Sequence, residues 1–215
     1  MEIPEKYRPC TLETFKAATP SQRRALKAVT QFVERPKGWV YLFGAPGVGK
    51  THLLVSVGKL LSVCRRCAED PDAAEREPSY HFEEREDSGS KKRQVVVNHI
   101  LPTLLNHLDF LAQLKGAIGS KRGRYDEILA DVKSARILLL DDLGIERQTE
   151  HSMDVVTAII MARYDAELPT MFTSNKGLSE LAVLYDDRIA SRIHGMCLPS
   201  GIVEVTGQDA RLKVP

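Results

Sequence analysis

Between residues 21 and 35, SQRRALKAVTQFVER, the apolar positions Leu26, Val29, Phe32 and Val33 recur at helical spacing behind a serine able to cap, which predicts an amphipathic helix. The period then changes. WVYLF, residues 39 to 43, is a short unbroken run of aromatic and branched side chains, as expected of a strand buried on both faces of a parallel sheet. It runs into glycines, and a helix is predicted from 50 to about 63, with Leu53, Leu54, Val57, Leu60 and Leu61 facing a core. The alternation continues with strand QVVVN (94 to 98), a helix from 101 to about 115, and another ending near 134. Strand ILLL (137 to 140), a long helix from about 152 to 168, strand PTMFT (169 to 173), two short helices from 179 to 195 and strand IVEV (202 to 205) follow. Strands alternating with helices predict an α/β fold whose parallel sheet is covered on both faces.

One stretch breaks the pattern. Of the 25 residues from 69 to 93, nine are acidic and five basic, with Pro71, Pro78 and a Ser-Gly-Ser, so the segment is expected to be a surface insertion that buries too little to order itself. The remainder, in a chain of 215 residues with 43% hydrophobic and 27% charged content, suffices for one globular domain with a proper core. The organisation expected is an N-terminal segment, 1 to 38, followed by a core from 39 to 215 carrying the insertion. No apolar run approaches the ~18–20 residues of a membrane span, and MEIPEKYRPC lacks the apolar stretch of a signal peptide, so a cytoplasmic protein is expected. Cys10, Cys64, Cys67 and Cys197 are too scattered for a disulfide framework. The CRRC pair Cys64 and Cys67 is either half a zinc site, with His81 as third ligand, or an ordinary helix end.

The chemistry begins where the first strand ends. GAPGVGKT, formed by Gly44, Ala45, Pro46, Gly47, Val48, Gly49, Lys50 and Thr51, matches the phosphate-loop pattern between a predicted strand and a predicted helix. In such a loop backbone N–H groups and the helix N-terminus face phosphates, with the lysine on the β and γ groups and the threonine on Mg²⁺. His52, next in the chain, joins these as an expected ATP contact. ILLLDDLG then supplies carboxylates at another strand end: Asp141 on the metal side, and Asp142 to orient or deprotonate an attacking water. FTSN places Thr173 and Asn175 at the tip of the next strand, where one of them can bond the γ-phosphate or the water, with an Asx-turn as the plainer account of Asn175.

DRIASRI, residues 187 to 193, is a different problem. Arg188 and Arg192 stand four apart on a predicted helix, where like charges repel by roughly 0.2–0.5 kcal/mol, and no acid lies three or four residues from either. Their partners are therefore elsewhere in the fold, in solvent, or on a bound anion. A formal charge of +1 means that any nucleic-acid contact must come from a local patch. Lys115, Lys121, Arg122, Arg124 and Tyr125, around the glycine-rich stretch GAIGSKRGR, are the candidates; phosphate contacts with base stacking and a plain solvated loop are equally compatible with them.

Taken in order, GAPGVGKT, ILLLDDLG, ARYDAELPTMFTSN, DDRIASRI and GQDAR (207 to 211) resemble the AAA+ ATPases of the DnaC/DnaI helicase-loader and IstB transposition-helper group, as does the opening IPEKYRPCTLETF. The resemblance implies a P-loop three-layer sandwich with a five-stranded parallel sheet of order 5-1-4-3-2 and no C-terminal helical lid. It implies Asn175 as sensor 1, Arg192 or Arg188 as the arginine finger inserted into a neighbour's ATP site, and Arg211 as sensor 2. Asp142 stands where many AAA+ ATPases use glutamate, which implies slow hydrolysis. The function implied is an ATP- and Mg²⁺-dependent switch that assembles head-to-tail into a ring or filament, engages single-stranded DNA and serves replicative helicase loading. An IstB-like helper that brings DNA to a transposase is the alternative. A small-molecule kinase with the same loop is the rival from another class, but FTSN and SRI have no place in its chemistry.

Overall fold

The computed structural model describes residues 4–62, 81–87, 90–96, 102–118 and 123–212, with 81–87 and 90–96 described as backbone. Helix α1 (Pro20–Glu34) starts one residue before the predicted Ser21 because Thr19 is the cap: its side chain accepts from Gln22 N–H, Gln22 answers on the Thr19 backbone, and Pro20 fills the first turn. Strand β1 (Trp39–Phe43) and helix α2 (Lys50–Ser62) follow as expected.

The next segments depart from expectation. Strands β2 (His81–Asp87) and β3 (Ser90–Val96) pair antiparallel as the arms of a hairpin, with His81 opposite Val96 and Asp87 opposite Ser90. The charged stretch 69 to 93 is thus partly ordered as ladder, and the apolar run expected as a sheet strand at 94 to 98 begins inside the second arm of that hairpin. The sheet strand is instead β4 (Thr103–Asn106), within the region predicted as all helix, and α3 (His107–Ala117) starts directly after it, capped by Asn106. Cys64 and Cys67 lie outside the described residues, as do Lys121 and Arg122.

The remaining elements are α4 (Arg124–Ser134), β5 (Leu138–Leu143), α5 (Glu150–Asp165), β6 (Thr170–Ser174), α6 (Leu178–Leu184), α7 (Asp187–Met196) and β7 (Cys197–Glu204). The five-stranded sheet has the order β4-β5-β6-β1-β7 and is parallel throughout. Counting sheet strands along the chain, this is the expected 5-1-4-3-2.

Alternation along the strands splits the core into two layers. Val40, Leu42, Leu139 and Met171 join Ala28, Val29 and Phe32 of α1 and Leu53 and Leu54 of α2. Trp39, Tyr41, Leu138, Leu140 and Phe172 face the other way, onto Phe110, Val132, Ile159, Ile160, Ile189 and Ile193 from α3, α4, α5 and α7. A charged residue ties this second layer together. Arg163 of α5 is fully buried and among the described residues donates to uncharged acceptors only: the carbonyls of Val132 (3.1 Å), Lys133 (3.3 Å), Ala135 (2.7 Å) and Pro169 (2.8 Å), and Thr170 Oγ1 (2.8 Å). It thereby closes the C-terminus of α4, where a cation suits the helix dipole, although burial pulls its pKa down to about 10. Among the described residues no helix is long and apolar enough to cross a membrane.

Candidate active site

Parallel strands bring their C-terminal ends to one edge of the sheet, and there the motif residues converge. The loop after β1 folds back under Lys50, whose ammonium, on a side chain only 5% exposed, donates to the carbonyls of Gly44 (2.7 Å) and Ala45 (2.8 Å) and to Asn175 Oδ1 (2.9 Å). Burial pulls the Lys50 pKa down, the charges of Asp142 and Asp141 push it up, and Arg211 adds a further downward pull. Lys50 and Asn175, which are far apart in sequence, therefore meet directly, within the field of the Arg211 charge.

Thr51 Oγ1 donates to Asp141 Oδ1 at 3.0 Å, and Thr173 Oγ1 donates to the same oxygen at 2.5 Å. Thr173 also accepts from the Asp142 N–H at 3.0 Å. The register of β5 against β6 shifts between Leu140 and Leu143, and Asp142 has a φ of 61°. A non-glycine residue in the left-handed region costs of order 1–3 kcal/mol and is found where a strand is bent to aim its side chains. Here Asp141 turns inward, 6% exposed, while Asp142 stays half-buried at the rim. Burial and then Asp142 push the Asp141 carboxyl above its usual range, against the hydrogen bonds from Thr173 and Thr51 and the charge of Lys50. Thr173 is thus spent on positioning the carboxylates, which leaves Asn175 as the one of the pair beside Lys50.

Thr51 and Asp141 present hard oxygen donors, the kind magnesium takes from a protein when water and phosphate complete its shell, so the residues present fit that ion. Among the described residues no cluster of three or more His, Cys, Asp or Glu side chains forms an all-protein metal site. A cleft of about 520 Å³ opens beside Thr51 and Asp141, walled by Lys6, Tyr7, Asn106 and Asp109.

The C-terminal GQDAR segment closes over the loop. A Cβ at Gly47, where φ is 77°, would stand 1.7 Å from Asp209 Oδ1, so only glycine admits this approach. The Ala210 N–H donates to the Gly47 carbonyl at 3.0 Å, and Arg211 grips Asp209 through Nε (3.1 Å) and Nη2 (3.2 Å). His52 turns away from the loop glycines to the N-terminal segment, with Nε2 at 2.8 Å from the Thr11 carbonyl and its ring edge-on to Phe15. Lys59 holds the same segment by donating to the carbonyls of Tyr7, Arg8 and Cys10.

The arginines of α7 differ from one another. Arg188 has an acid after all: Asp186, the helix cap, receives its Nε and Nη2, each at 3.0 Å, and its backbone N–H at 2.7 Å. The partner lies two residues back, outside the three- and four-residue spacing of the helix. The Arg188 guanidinium holds Asp186 below the usual carboxylate range. Arg192 is half-buried, its guanidinium 5.1 Å from the centre of the Tyr164 ring, and its buried Nε has no hydrogen-bond partner among the described residues. Of the basic patch, Lys115 and Arg124 are exposed at the facing ends of α3 and α4, whereas Tyr125 is half-buried against the His151 ring.

Sequence reasoning missed Asp209, Phe15, and a buried cluster of His107, Glu146 and Tyr185. No local signal marks the first two. Glu146 stands five residues beyond Asp141, between the predicted strand and helix, with no pattern that marks it.

No family model matches the chain. It is 19% identical to the replicative helicase loader DnaC of Escherichia coli K12 over 187 residues, 86% of this chain and 62% of DnaC. It is 28% identical to the helicase loader DnaI of Bacillus subtilis, over 84% of this chain and 49% of DnaI. Against an ATP-binding protein of insertion sequence IS5376 from Geobacillus stearothermophilus it is 24% identical, over 94% of this chain and 68% of that protein. The chain therefore spans about three-fifths of DnaC and half of DnaI. A crystal structure of the DnaC helicase loader superposes with a TM-score of 0.67 at 23% identity, covering 94% of this chain and 99% of that one. The replication initiator DnaA bound to AMPPCP and single-stranded DNA superposes at 0.63 and 21% identity, covering 93% of this chain and 50% of that one. The fold is that of these two structures.

Proposed function

We propose that this chain, similar to the DnaC/DnaI helicase loaders and the IS21-type ATP-binding proteins among AAA+ relatives, is an ATP-hydrolysing assembly switch working on single-stranded DNA in replicative helicase loading. The observation that carries the reading is the hydrogen-bonded convergence of Lys50, Thr51, Asp141, Thr173 and Asn175 at the ends of three adjacent strands. In this reading the loop from Gly44 to Thr51 takes the phosphates. Thr51 and Asp141 hold the magnesium, which would offset phosphate charge. Asp142 orients the attacking water from the rim, Asn175 reads the γ-phosphate beside Lys50, and Arg211 exchanges Asp209 for phosphate. Residues 1–38 form an N-terminal segment on an ATPase core of 39–215, and the protein works in the cytoplasm.

Arg192 and Arg188 serve a neighbouring subunit's ATP, so assembly is head-to-tail, a geometry that yields rings or filaments. The buried unpaired Nε of Arg192 supports this, because an orphaned charged donor is costly until an anion reaches it. Lys115 and Arg124 supply sequence-independent contacts to DNA, with Lys121 and Arg122 between them in the chain. A second reading, a transposition helper, is favoured by the IS5376 relative, whose match covers more of both chains than the loader matches do.

The test is steady-state ATP turnover. Arg192→Ala is expected to lower it by about 10³-fold, the scale of an arginine finger, and to leave ATP-analogue binding intact. Single-stranded DNA is expected to stimulate turnover in a salt-dependent way under the first reading, and duplex DNA under the second. Turnover indifferent to Arg192 and to both DNAs removes the switch reading.

A further inference from the structure

Three polar side chains meet inside the second core layer, and the catalytic reading uses none of them. His107 opens α3, Glu146 lies in the loop between β5 and α5, and Tyr185 caps the C-terminus of α6; they are 0%, 7% and 9% exposed. The Tyr185 hydroxyl donates to Glu146 Oε1, and Glu146 Oε2 lies 3.1 Å from His107 Nε2. Burial opposes charge on Glu146, but His107 and Tyr185 beside it hold the carboxyl below its usual range. The contact with His107 is poorly directed, so among the described residues both ring nitrogens and Glu146 Oε2 have no well-formed hydrogen-bond partner. Tyr185 packs in the same apolar cluster as Phe110, Leu143, Leu181 and Ile189, and an apolar trio would be buried here at lower cost.

Position in the chain suggests why a polar trio is there. His107 directly follows Asn106, whose register partner is Asp141. Glu146 is reached from Asp142 through Leu143, Gly144 and Ile145, and Gly144 sits so close to Leu181 and Leu184 that an added Cβ would lie 3.1 Å from each. Tyr185 directly precedes Asp186, the cap of α7 and the ion-pair partner of Arg188. Each member is therefore one or a few bonded residues from either the carboxylate end of the sheet or the helix that carries the arginines. An under-satisfied buried network has more than one arrangement within reach, which a fully bonded one lacks.

We propose that His107, Glu146 and Tyr185 are positioning residues that couple the Asp141–Asp142 strand end to the seating of α7, so that Arg188 and Arg192 are presented to a neighbouring subunit only when the first subunit's strand end is correctly set. The proposal rests on the head-to-tail reading above. It assigns Glu146 an effect on the neighbour's chemistry, although it contributes nothing to nucleotide binding in its own subunit.

Mixing experiments with full-length chains test it. Glu146→Gln, nearly isosteric, is expected to bind a non-hydrolysable ATP analogue like the parent but to turn over about tenfold more slowly. Mixed with Lys50→Ala subunits, whose arginines are intact, it is expected to regain turnover; mixed with Arg192→Ala it is expected to regain none. The opposite pattern places Glu146 in its own ATP site, and rescue by neither partner makes its role purely structural; either result overturns the proposal, as does unchanged turnover. A control mixture of Lys50→Ala with Arg192→Ala reports on the head-to-tail reading separately: if it recovers no activity, that reading fails and this proposal with it. Tyr185→Phe, which keeps the ring packing and removes only the hydroxyl, goes through the same mixtures should Glu146→Gln not fold.

Discussion

At the scale of single residues, the densest arrangement is around Gly47 and Asp142. Asp142 tolerates a φ of 61° because the Thr173 hydroxyl holds its N–H and the strand slips register beside it. The Asp209 carboxylate lies on Gly47 and is gripped by Arg211, two groups that the proposed function assigns to ATP phosphates. Carboxylate and phosphate then compete for the same place. Asp209→Ala is expected to tighten binding of a non-hydrolysable ATP analogue by about threefold or more in titration calorimetry. Unchanged or weaker affinity means that the carboxylate does not compete. Lys50, Thr51 and Asp141 were legible in the sequence because a phosphate loop and a strand-end carboxylate are local patterns. Asp209 was not, since its partner Gly47 is more than half the chain away and nothing in GQDAR marks the contact.

Elements were legible where their apolar periods were unambiguous. β1, β6 and the long helix α5 fall close to their expected places. At the sheet edge the β-branched run QVVVN carries the stronger strand signal, while the TLLN of β4 merges into the apolar pattern of the helix predicted from 101. The structure puts TLLN in the sheet, because only there does Asn106 fall beside Asp141 and cap α3 in the same step. The first arm of the hairpin was hidden by charge: a stretch rich in both signs is a poor core but an acceptable two-stranded ladder. Arg163 shows the same limit from the other side, since a buried arginine without an acid joins α4, α5 and β6 through their carbonyls. Arg163→Ala is expected to lower stability to urea by about 3–5 kcal/mol, because each buried carbonyl left unpaired costs roughly 1–3 kcal/mol. A loss below about 1 kcal/mol would mean that water replaces the guanidinium.

For the whole molecule, the proposed function places part of each ATP site on a neighbour. Turnover per subunit is then expected to rise with protein concentration and to fall on dilution by about 100-fold through the self-association range, and Arg192→Ala is expected to flatten that dependence. Steady turnover per subunit across the whole range would assign hydrolysis to single chains. The sequence by itself determined the alternating parallel α/β architecture and set a phosphate-loop pattern and strand-end carboxylates in it, while the strand order was implied by the resemblance of its motifs to a known family. Period, glycine placement and carboxylates at strand ends are short-range properties of the chain. Only the tertiary structure decided which strand borders Asp141, which acid holds Arg188, that Asp209 lies on the phosphate loop, and that His107, Glu146 and Tyr185 meet in the core. Those contacts depend on capping and on packing between distant segments, where what two residues do to each other is set by the space left between elements and not by their spacing along the chain.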